Sequence, residues 1–233
     1  MSTTQKDKVS AAPKKSTAPI KKAGTGGFVE ENQKSLAFIA GGIVVLIILY
    51  IGYQRFYLAP RAEQAVNEIY KAEEYLAIDS LKQRAIDGDG SYPGFKEIAD
   101  EYNNTKSANV ANAYLGGLYL RKGQYQEAIS SLEKYSNTGS PVLDPLVIGL
   151  LGDAYSELKD YKKAAEQYKK AVAKSDNSFT SPLFLKKLGL VYEALNDFKS
   201  AADAYKKIKS DYPQSSEASL VEAYIARAEA RQQ

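Results

Sequence analysis

The order of apolar and polar positions divides this chain at Arg55. Before it, Ser35 to Gln54 carries no charge, and Leu36 to Tyr53 is almost wholly apolar with no polar face. A helix of about 20 residues rising about 1.5 Å each spans about 30 Å, the thickness of a bilayer's hydrocarbon core. Lys34 and Arg55 bracket the block, and Tyr50, Tyr53, Phe56 and Tyr57 crowd one end as interfacial aromatics do. A signal peptide has a shorter leader and a shorter apolar run. The pattern predicts a transmembrane helix over 35–55, with Ala37 and Gly41 as a small pair suited to packing on another helix.

After Arg55 the pattern turns amphipathic. Ala62, Ala65, Val66, Ile69, Tyr70, Ala72 and Leu76 recur at helical spacing, predicting a helix that opens at Pro60 and runs to about Lys82. It ends in the turn-rich Asp87-Gly88-Asp89-Gly90-Ser91-Tyr92-Pro93-Gly94. A calcium loop starting at Asp87 needs glycine sixth and glutamate twelfth, where this chain has Tyr92 and Ile98, so the segment reads as a turn.

From Asn109 the chain repeats itself. Leu115-Gly116-x-x-Tyr119, Leu151-Gly152-x-x-Tyr155 and Leu188-Gly189-x-x-Tyr192 share one pattern. Nine residues after each tyrosine stands an alanine, Ala128, Ala164 or Ala201, and four further on a large residue, Leu132, Tyr168 or Tyr205. Short turns lie between, and the glycines are spaced 36 and 37 residues apart. Glycine inside a helix costs about 1 kcal/mol relative to alanine. Three at one register position therefore require a packing reason, namely close approach of a partner helix within a hairpin. The tyrosines and leucines fill the space between hairpins, which no single hairpin buries alone.

Composition narrows the chemistry. The 233 residues are 44% hydrophobic and 25% charged, with no cysteine and no histidine. That removes thiol chemistry, disulfides, the commonest general base and the commonest metal ligands, and no spacing of Asp or Glu suggests convergent carboxylates. The reading is a non-enzyme with no cofactor, no metal and no small-molecule substrate. Residues 1–34 hold seven lysines against Asp7, Glu30 and Glu31, whereas the part from Phe56 onward, with 23 basic and 25 acidic residues, is near neutral. A nucleic-acid binder carries its basic excess on the folded domain, so nucleic acid is not expected as a partner. The tail at 1–34, rich in Lys, Ala, Ser, Thr, Pro and Gly, is read as disordered. Its lysines place it in the cytoplasm and the rest of the chain beyond the membrane.

The repeated segments resemble the tetratricopeptide repeat (TPR) family, which carries Leu-Gly-x-x-Tyr on its first helix, alanine and an aromatic on its second, and proline at its end. Three repeats match over 109–213, with Pro213 at the terminal position of the third. The fold class expected is all-α: one N-terminal transmembrane helix, then a TPR α-solenoid of three clear repeats with a degenerate leading repeat and a C-terminal capping helix. The leading hairpin takes 56–108, its helices at about 61–84 and 92–102, and the cap takes 214–233. Extra residues between repeats are expected near Gly139-Ser140-Pro141 and Asn177-Ser178-Phe179.

The resemblance implies a groove, built from first helices, that holds a partner protein. By position its residues are Val110, Ala113, Arg121, Leu146, Asp153, Leu183, Lys186, Leu190 and Glu193. The carboxylate clamp of some TPR domains is not expected, because Lys186 has Ala113 and Gly149 as counterparts. The whole layout, including Tyr57-Leu58-Ala59-Pro60-Arg61 and the Gly88 to Phe95 loop, is similar to membrane-anchored TPR proteins of Bacteroidota and to the YfgM-type ancillary subunit of the bacterial Sec translocon. That likeness implies an inner-membrane protein with periplasmic repeats, partnered by translocon subunits, periplasmic chaperones or secreted clients. It also makes Ser80, in Asp79-Ser80-Leu81, an O-glycosylation candidate, while the sequon Asn103-Asn104-Thr105 matters only in a eukaryote. The alternatives are a scaffold or assembly subunit of another membrane complex, or an organelle-membrane receptor with its repeats in the cytosol.

Overall fold

The structure is a computed structural model that describes residues 32–174 and 176–232. These residues are helical, with turns and no strand. The tail read as disordered lies, up to residue 31, outside the described residues. The chain divides into two compact units, Met1–Ile51 and Gly52–Gln233.

Helix α1 (Gln33–Gly52) buries none of its side chains. Among the described residues the helical run Gln33–Leu76 is the one stretch long and apolar enough to cross a membrane. A π-helical turn, Tyr53–Leu58, leads into α2 (Ala59–Leu76). The expected opening of a helical region at Pro60 is met by α2, which continues from α1 through that turn. Pro60 stands in the first turn of α2, where the wider turn before it accommodates a residue that lacks an N–H and crowds the carbonyl four residues back.

In the second unit α2 stops at Leu76, short of the expected Lys82, and Ile78 is extended. A 3₁₀ turn, Asp79–Leu81, then starts α3 (Lys82–Asp87), which packs back on α2. The break has an apolar cause. It lets Ala85 and Ile86 join Ala65, Ile69, Ala72 and Tyr75 in one core, which a straight helix would carry them away from. The helix expected at 92–102 is α4 (Phe95–Glu101).

Three hairpins follow: α5 (Lys106–Arg121) with α6 (Tyr125–Glu133), α7 (Leu143–Glu157) with α8 (Tyr161–Lys174), and α9 (Ser181–Ala194) with α10 (Phe198–Asp211). A 3₁₀ turn, Ser216–Leu220, and α11 (Val221–Ala230) close the stack, with Val221, Ile225 and Ala228 buried against α10. The core is a relay of clusters passing from each hairpin to the next, as expected of a solenoid.

The repeated glycines have the packing reason their register demanded. A methyl group on Gly116 would run into the Leu132 side chain, one on Gly152 into the Tyr168 ring, and one on Gly189 into the Tyr205 ring. Each large residue comes from the second helix of the same hairpin. Ala128, Ala164 and Ala201 are completely buried beside them. Leu115 and Leu188 are buried, whereas Leu151, Tyr119, Tyr155 and Tyr192 are half-buried. The tyrosine backbones also close the hairpin turns. The carbonyls of Tyr119, Tyr155 and Tyr192 accept the N–H of Gln124, Asp160 and Asp197, each at 2.9 Å. The residue just before each of those donors, Gly123, Lys159 or Asn196, has φ of 72°, 61° or 59°, the left-handed conformation of a helix C-terminus.

Polar side chains pin the longer loops between hairpins. Asn109 bonds the backbone N–H and C=O of Ser136, both at 2.7 Å, and Asn177 donates to the Pro141 carbonyl at 3.0 Å. Asp144 is fully buried and accepts from the Tyr135 hydroxyl, the Thr138 N–H and hydroxyl, and the Gly139 N–H, at 2.8–2.9 Å. Burial alone would raise its pKa, but these donors outweigh burial and hold it down at about 2.

Gly152→Ala is expected to lower stability by about 1–2 kcal/mol, because the clash with Tyr168 exceeds the gain of about 1 kcal/mol in helix propensity; urea unfolding followed by circular dichroism measures it. Asp144 has its pKa depressed from 3.8 to about 2, so its stabilisation is complete above pH 4 and is lost as pH falls toward 2. Asp144→Ala should cost about 2–4 kcal/mol at pH 7 by leaving buried donors unpaired, and should flatten melting temperature against pH between 4 and 2.

Candidate partner-binding groove

The first helices of the three hairpins, α5, α7 and α9, line a cavity of 780 Å³. Leu76 of α2, Tyr125 of α6 and Tyr168 of α8 complete its edges. The lining is largely aliphatic and aromatic because the residue slots that face it recur in each hairpin: Val110 and Leu146, then Tyr114 and Leu150, then Gly117 and Leu190. Of the positions singled out from sequence, Val110, Ala113, Arg121, Leu146, Asp153 and Leu190 line this cavity.

Leu183, Lys186 and Glu193 do not line it. Leu183 is half-buried against the core that holds Phe184 and Leu188. Lys186 pairs with Glu217 of the 3₁₀ turn at 3.7 Å. Glu193 accepts from the Tyr205 hydroxyl at 2.9 Å and from Arg227 of α11 at 2.8 Å. The closing segment packs on the last hairpin as a further repeat would, so these polar side chains are engaged by the cap.

Lys187 lines the cavity, one residue beyond the selected Lys186. It occupies the slot of Tyr114 and Leu150, and that register was the available signal. Its ammonium bonds both carboxylate oxygens of Asp153 at 2.7 Å, and the Tyr168 hydroxyl donates to the same carboxylate at 2.7 Å. The pair joins the second hairpin to the third within the groove wall. Burial, reinforced by the Asp153 charge, pushes the Tyr168 hydroxyl far above its ordinary pKa, so it acts as a donor at every working pH. Two other charges line the cavity: exposed Glu157 accepts from the Tyr125 hydroxyl at 3.2 Å, and exposed Arg121 lies 3.8 Å from Asp79 and stays accessible.

The remaining candidates are local. Asp89 accepts from the Ser91 and Tyr92 N–H groups and from the Tyr75 hydroxyl, which with those backbone donors holds its pKa at about 2, so it organises a turn. Thr105 of the sequon caps α5 by accepting the Ala108 N–H. Ser80 lies exposed on the 3₁₀ turn.

A stack of helix hairpins with an open groove along its first helices defines a helical-repeat protein of the interaction-scaffold class. Residues 61–193, more than half of the chain, match the family model described as a tetratricopeptide repeat-like domain, and residues 187–215 match that of the tetratricopeptide repeat. The chain belongs to the tetratricopeptide repeat-like family. A crystal structure of TPR-like repeats from Podosopora anserina, described as nearly identical repeats of a kinesin light chain, is similar with a TM-score of 0.50 at 16% identity, over 75% of this chain and 86% of that one. That likeness concerns the fold alone. No curated protein matches the sequence.

Replacing Lys187 with Met should cost about 1–3 kcal/mol, because it leaves half-buried Asp153 with only the Tyr168 hydroxyl. A double-mutant cycle with Asp153→Leu, read by urea unfolding, should give a coupling of about 1–3 kcal/mol.

Proposed function

We propose that this protein is a membrane-anchored TPR scaffold that holds partner proteins on the extracytoplasmic side of a bacterial inner membrane. In this reading it is an accessory of the Sec translocon and the periplasmic chaperone network. The observation that carries it is the groove: a largely apolar surface built from three first helices, with Asp153 and Lys187 paired in its wall. Such a surface suits polypeptide and offers no reacting group. The apolar block Leu36 to Tyr53, within the helical run Gln33–Leu76, supplies the anchor, with the lysine-rich N-terminus cytoplasmic and the repeats on the far side. The likeness in layout to translocon-associated TPR proteins supports the assignment of partners. In the same reading, exposed Ser80 is an acceptor for O-linked sugar; an intact mass equal to that of the bare polypeptide would remove that proposal.

A photoreactive residue placed at Leu146 or Leu190 in the native membrane should capture translocon subunits, periplasmic chaperones or secreted chains, identified by mass spectrometry. The same probe at exposed Lys170 should capture none of them. Capture of an unrelated membrane complex by the groove would keep the scaffold and remove the translocon role. The chain has no cysteine, so a single Lys170→Cys variant reports topology directly. Labelling by an impermeant maleimide from the extracytoplasmic side is expected, and labelling only from the cytosol would overturn the orientation.

A further inference from the structure

Within the second unit, the loops that join one hairpin to the next are tied side by side into one edge. Arg61, at the start of α2, donates to the Glu101 carbonyl at the end of α4, and its guanidinium lies 5.5 Å from the centre of the Tyr102 ring. Lys134, just after α6, sits 3.7 Å from Asp100, and Asn109 of α5 holds Ser136. Asn177 reaches the Pro141 carbonyl, and the Tyr212 hydroxyl donates to Asp176. The segments 134–142, 176–180 and 212–220 therefore follow one another along a single side of the stack, which begins at Arg61.

Apolar side chains stand out of that edge. Val142 is 41% exposed, Phe179 69% and Leu220 63%. Val142 and Phe179 are 37 residues apart, as Gly152 and Gly189 are, so the exposed apolar position recurs in register. The charges around them come close to cancelling. Lys134 pairs with Asp100, Lys174 with buried Asp144 and Lys207 with Asp211, while exposed Glu101 and Lys106 are opposite in sign.

What this edge meets follows from where the chain leaves the apolar block. Tyr53, Phe56 and Tyr57 crowd the end of that block, and the Arg61 guanidinium lies over the Tyr57 ring at 5.2 Å. The interfacial aromatics and the loop edge thus share Arg61. A surface tethered this close to a bilayer meets it at high effective concentration, so a few side chains suffice where a free protein would need a larger patch. Aliphatic and aromatic groups without an excess of either charge suit the boundary between headgroups and acyl chains.

We infer that the loop edge bearing Val142, Phe179 and Leu220 docks on the interface of the bilayer that holds the anchor. The inference rests on the anchor reading above and gives the repeats a second point of attachment to the same membrane. Phe179, the most exposed of the three, enters the headgroup region, and Val142 and Leu220 settle beside it.

The test uses the full chain in phosphatidylcholine nanodiscs, one chain per disc. Because the chain has no cysteine, Ser178→Cys, Leu158→Cys and Leu46→Cys each take a single nitrobenzoxadiazole fluorophore. Position 178 adjoins Phe179, 158 lies in the turn at the opposite end of its hairpin, and 46 lies in α1. The probe at 178 is expected to be quenched by spin-labelled lipid and to be at least about threefold less open to aqueous iodide than the probe at 158. Discs that contain phosphatidylglycerol should give the same result. Adding Val142→Ser and Phe179→Ser should restore iodide access at 178 without lowering the melting temperature, since both side chains are exposed. Equal iodide access at 178 and 158, or protection that appears only with anionic lipid, overturns the inference. So does protection confined to discs that hold two chains, which would assign the edge to a second copy. The probe at 46 separates the two levels. Lipid quenching at 46 with none at 178 keeps the anchor and removes the docking, whereas no lipid quenching at 46 removes the anchor itself.

Discussion

Each hairpin of this protein closes by setting a large side chain against a helix backbone that has no Cβ. Leu132 on Gly116, Tyr168 on Gly152 and Tyr205 on Gly189 are the same contact made three times. It brings the two helices close enough to bury Ala128, Ala164 and Ala201 completely. It also leaves the opposite side of each first helix free to stack on the next hairpin or to face the groove. Gly149 extends the principle between hairpins, since Phe184 of α9 occupies the place its side chain would take. Spacing, stacking and groove width all descend from how closely these backbones approach.

Polar groups here align the repeats and contribute little to a charged recognition surface. Asn109, Asp144 and Asn177 each tie a loop that has no regular hydrogen-bond ladder of its own. Asp144 is buried outright and tolerates burial because four hydrogen bonds compensate its charge. Asp153 and Lys187 do the same across the second and third hairpins. The groove is left with an apolar face and few free charges, which agrees with holding polypeptide through packing. The cap draws Lys186 and Glu193 into its own contacts, so the groove ends where the repeats end.

The repeated hairpins were legible in the sequence because their contacts are local and periodic. Leu-Gly-x-x-Tyr, the alanine and the large residue lie within one hairpin, so their spacing alone implies that they meet. The leading region was harder to read. Its apolar positions continue at helical spacing past Leu76, and only the need to bring Ala85 and Ile86 under α2 breaks the helix at Ile78. Pro60 marks the opening of α2 because proline is tolerated in a helix's first turn, but the π-helical turn that joins α2 to α1 carries no such signal. Register located the groove, and the slot shared by Tyr114 and Leu150 also points to Lys187; its pairing with Asp153, 34 residues away, is what the structure adds.

The sequence by itself determined the helical class, the apolar segment before Arg55, the three hairpins and the absence of thiol and imidazole chemistry. Each follows from composition or from periodicities that a helix imposes on its own residues. Only the tertiary structure decided which of two adjacent glycines is filled from within and which is open, which charges are already paired, and that Asp144 is buried. Those are properties of several elements at once. Neighbours in sequence such as Gly116 and Gly117 lie about 100° apart around the helix axis, so one meets Leu132 while the other meets the groove.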